Sequence, residues 1–159
     1  MKRPEKKYKR VIYLIGSLKN ENIPVLANKL RKEFGPDVDV FDSWYYPSPD
    51  ADEWLHKCCK ERGLSYKETL QDWGAQHVFE FDKSHLNRAT DVVLVMPAGK
   101  SGHLELGYSK GLSKRGFVYF ENGSPEKVDI MYLFADDLFF SYDELVAGLK
   151  SYDTEAKTE

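Results

Sequence analysis

An α/β fold built on a mostly parallel sheet is what this sequence predicts, and three observations predict it. Apolar runs of strand length alternate with longer stretches of helical periodicity, the pattern of successive βα units. Those runs are hydrophobic almost without interruption, as strands covered on both faces are. The chain of 159 residues has the length of one domain and can bury roughly two thirds of its unfolded surface.

Five runs read as strands: Arg10 to Ile15, Val38 to Asp42, Asp91 to Met96, Phe117 to Phe120, and a weaker one near Ile130 to Phe134. Between the first two, "ENIPVLANKLRKEF" carries Ile23, Leu26, Ala27, Leu30 and Phe34 at helical spacing and stops at Gly35-Pro36. The third strand leads into "SGHLELGYSKGLSKRG", whose Leu104, Tyr108 and Leu112 repeat that spacing before a basic turn and Gly116. A last helix is expected over Tyr142 to Leu149, with the polar "SYDTEAKTE" as a frayed tail.

Ser43 to Thr90 is longer than one crossover needs, and two helices are expected there. "DADEWLHKCCKERG" has Trp54, Leu55 and Cys58 on one side; the second pattern runs through Leu70, Trp73, His77, Phe81 and Leu86, with an interruption at Gly74. The reading is therefore one domain over residues 1–150, a helical insertion at about 43–76 and a tail at 151–159.

Composition removes several classes of function. A net charge of -3 and a pI near 5.9 leave no chain-wide basic footprint, so a nucleic-acid polymer is not the expected partner. "VIYLIG" and "DVVLVM" are far shorter than a membrane span, and no membrane partner is expected. The start, "MKRPEKKYKR", lacks the apolar core of a secretory signal and reads as a solvated basic arm. Cys58 and Cys59 are adjacent, which suits neither an ordinary disulfide nor a zinc site, and a reducing cytoplasm is the expected compartment. No metal or other cofactor is expected, because His77, His85 and His103 show no ligand spacing with an acid or thiol.

Two loops carry the chemistry. "LIGSLKN" and "MPAGKSGH" each place Gly and Ser directly after a strand, where an open α/β sheet gathers its ligands. Gly16, Ser17, Gly99, Lys100, Ser101 and Gly102 thus become candidate substrate contacts, with His103 at the same helix start, although His103 taken alone is expected at the surface. "GKS" lacks the upstream glycine of a nucleotide-hydrolysing P-loop. The loop serves as well as an anion cradle or as an ordinary turn with Ser101 as helix cap. Glu105 stands four residues after Ser101, where a capping box needs three. A cap at Gly102 would restore that spacing. In the first helical turn such a carboxylate is favoured in its charged form, as a nucleophile must be. "DSWYYPSP" after the second strand offers an aromatic wall for a flat ring, with Trp44 in it and Asp42 or Ser43 as polar contacts; core packing is the commoner use of such rings.

Three pieces taken in order, "YLIGS", "EFDKSHLNRATDVVLVMP" and "HLELGYSKGLSKRGFVYF", resemble the nucleoside 2-deoxyribosyltransferases and the related deoxynucleoside 5'-monophosphate N-glycosidases. The resemblance covers under half of the chain. It implies a flavodoxin-like, three-layer domain that assembles as a homodimer or larger homo-oligomer. It implies that Glu105 attacks the anomeric carbon of a nucleoside or nucleotide, that Asp82 protonates or orients the leaving base, and that Tyr13 orients Glu105. Two carboxylates of this kind are the equipment of retaining glycoside chemistry. The covalent sugar then passes to another base or to water. The acid by which family transferases hold the sugar 5'-hydroxyl has no counterpart in "AGKSG", and Lys100 favours a 5'-phosphate instead. Two other readings stay open: a nucleotide-binding module without turnover, and a glycohydrolase acting on NAD.

Overall fold

The computed structural model describes residues 8–45 and 50–155. The basic arm before residue 8, the end of the aromatic segment at 46–49 and the last residues of the tail lie outside the described residues.

Five parallel strands form one sheet in the order β2-β1-β3-β4-β5, the flavodoxin-like order. They are β1 (Arg10–Ile15), β2 (Val38–Phe41), β3 (Asp91–Met96), β4 (Arg115–Phe120) and β5 (Asp137–Phe139). The helices are α1 (Ile23–Phe34), α2 (Ala51–Glu61), α3 (Tyr66–Gln71), α4 (Trp73–Arg88), α5 (Lys100–Gly111) and α6 (Tyr142–Glu155).

Alternation along the strands makes the three layers. Ile12 and Leu14 of β1 point to one face, where they pack with Leu26 and Leu30 of α1 and with Leu145 and Leu149 of α6. Val11, Tyr13 and Ile15 point to the other, against Leu86 of α4 and Leu106 of α5. α1 opens with Pro24 in its first turn and ends at Gly35, whose φ of 71° a residue with a Cβ adopts only with strain.

The N-terminal edge of the sheet, away from the ligand end, is held by a buried ion cluster. Asp91 accepts from Arg10 Nε at 3.0 Å and from Arg115 Nη2 at 2.9 Å. The same guanidiniums donate to the carbonyls of Leu149 and Tyr152, fixing the end of α6 to the sheet.

The structure corrects several expectations. Ile130–Phe134 is a 3-10 turn, not a strand. The Asp129 carboxylate accepts from the Met131 N–H at 2.9 Å and starts that turn, and Leu133 in it stays 88% exposed where a sandwiched strand would be covered. The fifth strand is instead Asp137–Phe139, paired with β4. β4 begins at Arg115, two residues before the apolar run, and β2 ends before Asp42. Ser43 to Thr90 holds three α-helices among its described residues, not two: the break falls at Asp72, which caps α4 by accepting from Gly74 N and pairs with Arg62. Its α3 starts with a reciprocal capping box of Ser65 and Glu68. α6 continues past Leu149 to Glu155.

Candidate active site

The chain leaves β1 for α1 on one face and leaves β3 for α5 on the other, so the sheet's topological switch point lies between these two neighbouring strands. Ligands of open α/β sheets bind at that crevice. The two Gly-Ser loops singled out in the sequence both emerge there.

Tyr13 of β1 stands in the core layer beneath α4 and α5, 1% exposed, with its ring 5.1 Å from that of Phe41. α4 contributes Asp82 and α5 contributes Glu105. The three are near enough for their charges to act on one another. Burial first, and then the carboxylates of Glu105 and Asp82, push the Tyr13 phenol well above its ordinary value of 10, so it keeps its proton and has it to donate. Burial, followed by the charge of Asp82, pushes Glu105 up to about 8. Burial, followed by the charge of Asp52, pushes Asp82 up to about 6. Between those values Asp82 is ionised and Glu105 keeps its proton.

The two carboxylates open onto a groove of about 230 Å³ between α4 and α5, whose other walls are Phe79, Lys83, Leu86, Leu104 and Tyr108. It is mainly apolar, of a size for a flat heterocycle. On the other side of the α5 start lies a larger cavity of about 450 Å³, bordered by Ser17, Lys19, Asn20, Asn22, Pro97, Ala98, Gly99, Glu121 and Asn122. α2 reaches this end of the sheet through an ion pair of Glu53 with Lys19 at 3.9 Å.

The helix start differs from the sequence expectation. α5 is capped at Gly99, without a side-chain hydrogen bond, so Ser101 is not the cap and Glu105 stands in the second turn, too far along for a capping box. Its carboxyl is governed by burial, not by the helix dipole, and keeps its proton to about pH 8 where the dipole argument would have removed it. A Cβ on Gly102 would meet Leu94 at 3.0 Å and Ile15 at 3.1 Å, so this residue lets α5 lie close on the sheet, whereas Gly107 and Gly111 face open space.

Ser17 and Gly99 border the larger cavity, while Lys100 and Ser101 are exposed on the first turn of α5. Gly16 is packed against Ile23 and Trp44, and the Trp44 indole N–H donates to the Leu14 carbonyl at 2.6 Å. Asp42 is wholly buried: one oxygen accepts from Arg31 at 2.5 Å, the other has no partner, and it borders neither cavity. His103 is half-buried where the sequence pointed to the surface. Its Nδ1–H donates to Gly99 O at 2.8 Å, and Nε2 meets the Tyr132 hydroxyl at 3.0 Å, which joins the Ile130–Phe134 turn to the start of α5. Among the described residues, no three His, Cys, Asp or Glu side chains are grouped to hold a metal.

Sequence reasoning missed the polar residues Asn20, Asn22, Glu121 and Asn122. Their signal was positional: "LKNEN" and "FENG" follow the first and fourth strands at the ligand end of the sheet. The groove walls Phe79 and Leu104 had no such signal, because an outward apolar residue on a helix looks the same whether or not a carboxylate lies beside it.

No protein-family model matches the chain, and no curated protein matches it.

Proposed function

We propose that the protein cleaves the N-glycosidic bond of a nucleoside or 5'-nucleotide through a covalent glycosyl-Glu105 intermediate. The observation that carries this reading is a pair of carboxylates, Asp82 and Glu105, that line one apolar groove beside a buried phenol and are both raised by burial. Retaining glycoside chemistry needs that inventory.

The base lies between Phe79, Leu104 and Tyr108, and the anomeric carbon faces Glu105. As an Oε–C1' bond forms and the C1'–N bond breaks, the electron pair goes to the base nitrogen. The proton held by Glu105 passes through Asp82 to the leaving base, which leaves Glu105 as the anion that attacks. Tyr13, always protonated, donates to the Glu105 carboxylate and orients it. In the second half-reaction a base nitrogen or a water attacks C1', Asp82 accepts its proton, and Glu105 leaves. The Gly99–Ser101 turn with Lys100 then lies toward the sugar 5' end.

The resemblance in "YLIGS", the Asp82 segment and "HLELGYSKG" gives this reading its second support. A homo-oligomer is part of it, since Leu104 is exposed at the groove and Met131, Leu133 and Phe134 are exposed on the turn that Tyr132 joins to His103. A reducing cytoplasm suits the free thiols of Cys58 and Cys59, and no helix among the described residues is long and apolar enough to cross a membrane.

The test is a panel of nucleosides and 5'-nucleotides, incubated with and without a free acceptor base and resolved by chromatography. The reading expects release or exchange of base by the wild type and neither by Glu105→Gln. Binding without release over long incubation would refute it in favour of a sequestering module.

A further inference from the structure

Bond cleavage leaves the larger cavity without a task. At about 450 Å³ it is in the range that holds whole small ligands, roughly 300–1,000 Å³, and it has about twice the volume of the groove. Its lining mixes donors and acceptors. The Asn22 side chain makes no cap hydrogen bond, and among the described residues the Asn122 amide is likewise unengaged. Glu121 accepts from Asn20 Nδ2 at 2.7 Å through one oxygen and keeps the other. Ser17 Oγ accepts from Lys19 N at 3.2 Å and still has its hydroxyl proton to give.

This wall is also built in advance. The 17–22 loop is braced by Asn20 N to Ser17 O at 2.9 Å and by Asn22 N to Asn20 Oδ1 at 3.0 Å, and Asn20 ties it across to Glu121. Little ordering is left for a ligand to bring about.

Its chemistry selects a neutral polar ring. Lys19, the cation in this lining, is 81% exposed and paired with Glu53 at 3.9 Å, and a single phosphate would still meet the Glu121 carboxylate and fill only a fraction of the space. Amides that give and accept at once suit the edge of a heterocycle, and a carboxylate oxygen with a hydroxyl suits the hydroxyls of a sugar.

Position relative to the groove then fixes what the two cavities share. Gly99 borders the polar cavity and Glu105 lies six residues further along the same helix, about 9 Å at 1.5 Å per residue. A nucleoside with its base in the groove and its anomeric carbon at Glu105 can direct its 5' carbon back toward the start of α5. An anionic linker there passes the exposed Lys100 and the free first-turn N–H groups.

We propose that the polar cavity is a subsite for a second nucleoside, so that the preferred ligand is a 5'-5' dinucleotide and not a mononucleotide. The orientation of the ligand rests on the N-glycosidase reading; the match of the cavity to a nucleoside rests on its own lining.

Calorimetry on the full chain carrying Glu105→Gln measures binding apart from bond cleavage. Two matched pairs serve as probes: nicotinamide mononucleotide against NAD, and adenosine monophosphate against diadenosine diphosphate. In at least one pair the dinucleotide is expected to bind about tenfold more tightly, and Asn122→Ala with Glu121→Gln is expected to remove that preference. Glutamine at 121 can still accept from Asn20, so the loop brace is kept.

Equal affinity within both pairs, absence of binding by all four, or a preference that survives both substitutions would overturn the subsite. Failure of the catalytic reading looks different: the dinucleotide preference is present while the wild type releases no base. Base release at equal efficiency from mono- and dinucleotides would leave catalysis standing and remove the subsite.

Discussion

Replacing Glu105 by glutamine keeps the shape of the side chain and removes its charge, and its effect on stability depends on pH in a calculable way. Burial and then Asp82 raise Glu105 from 4.5 to about 8 in the folded protein. In the unfolded chain it ionises near 4.5. A carboxyl raised in this way binds its proton more tightly folded than unfolded, so its ionisation works against the fold. The penalty is absent below about pH 4.5, grows as pH rises toward 8, and is complete above 8. At about 1.4 kcal/mol per pH unit the interval sets a ceiling of about 5 kcal/mol, and allowing for solvent at the mouth of the groove brings this to ~2–4 kcal/mol. Glu105→Gln escapes the penalty. Urea denaturation at pH 9 should find the variant more stable than wild type by ~2–4 kcal/mol, and at pH 5 by less than ~1 kcal/mol. Base release should be absent from the variant at either pH. An equal difference in stability at the two pH values, or a variant less stable at pH 9, would refute the buried-carboxyl reasoning.

The two raised carboxyls predict a bell-shaped profile of kcat/KM, with limbs near the values of about 6 and about 8 set by Asp82 and Glu105; a flat profile across that range would contradict it. Asp91→Ala strands the Arg10 guanidinium, which is 4% exposed, and denaturation should show a loss of about 3–5 kcal/mol while the KM of the folded fraction is unchanged. Gly102→Ala forces a methyl group against Leu94 and Ile15 and should destabilise by about 1–3 kcal/mol, whereas Gly107→Ala, in open helix, should stabilise by about 0.5–1 kcal/mol. The same sign for both glycine variants would undo the packing assignment of α5.

The central sheet was legible because its strands carry a signal that tertiary context does not alter. "RVIYLI" and "DVVLVM" are apolar throughout after their first, charged residue, and both become strands with the bounds expected of them. The weaker run "IMYLF" has the same composition without the same fate. A single carboxylate, Asp129, captures the Met131 amide and turns the chain before it can extend, while the short "DLF" finds β4 instead. Local hydrogen bonding decided between two segments that hydrophobicity alone could not rank.

The site was legible in part for a related reason. Position after a strand, at the end where an α/β sheet binds ligands, is readable from sequence, and it leads to Ser17 and Gly99 at the larger cavity. The protonation of Glu105 was not readable. It follows from burial and then from the charge of Asp82, distant in sequence, and these reversed what the helix position alone implied. Asp42 was equally opaque, since nothing in "VFDSW" announces that Arg31 takes its carboxylate into the interior.

Stereochemistry tests the covalent glycosyl-Glu105 step most directly. Cleavage of a β-nucleoside or β-nucleotide substrate in the presence of methanol, followed by proton NMR, reports the anomeric configuration of the methyl glycoside formed. Two successive displacements at C1' predict the β product, with configuration retained. The α product, or no cleavage of any substrate offered, would contradict the account.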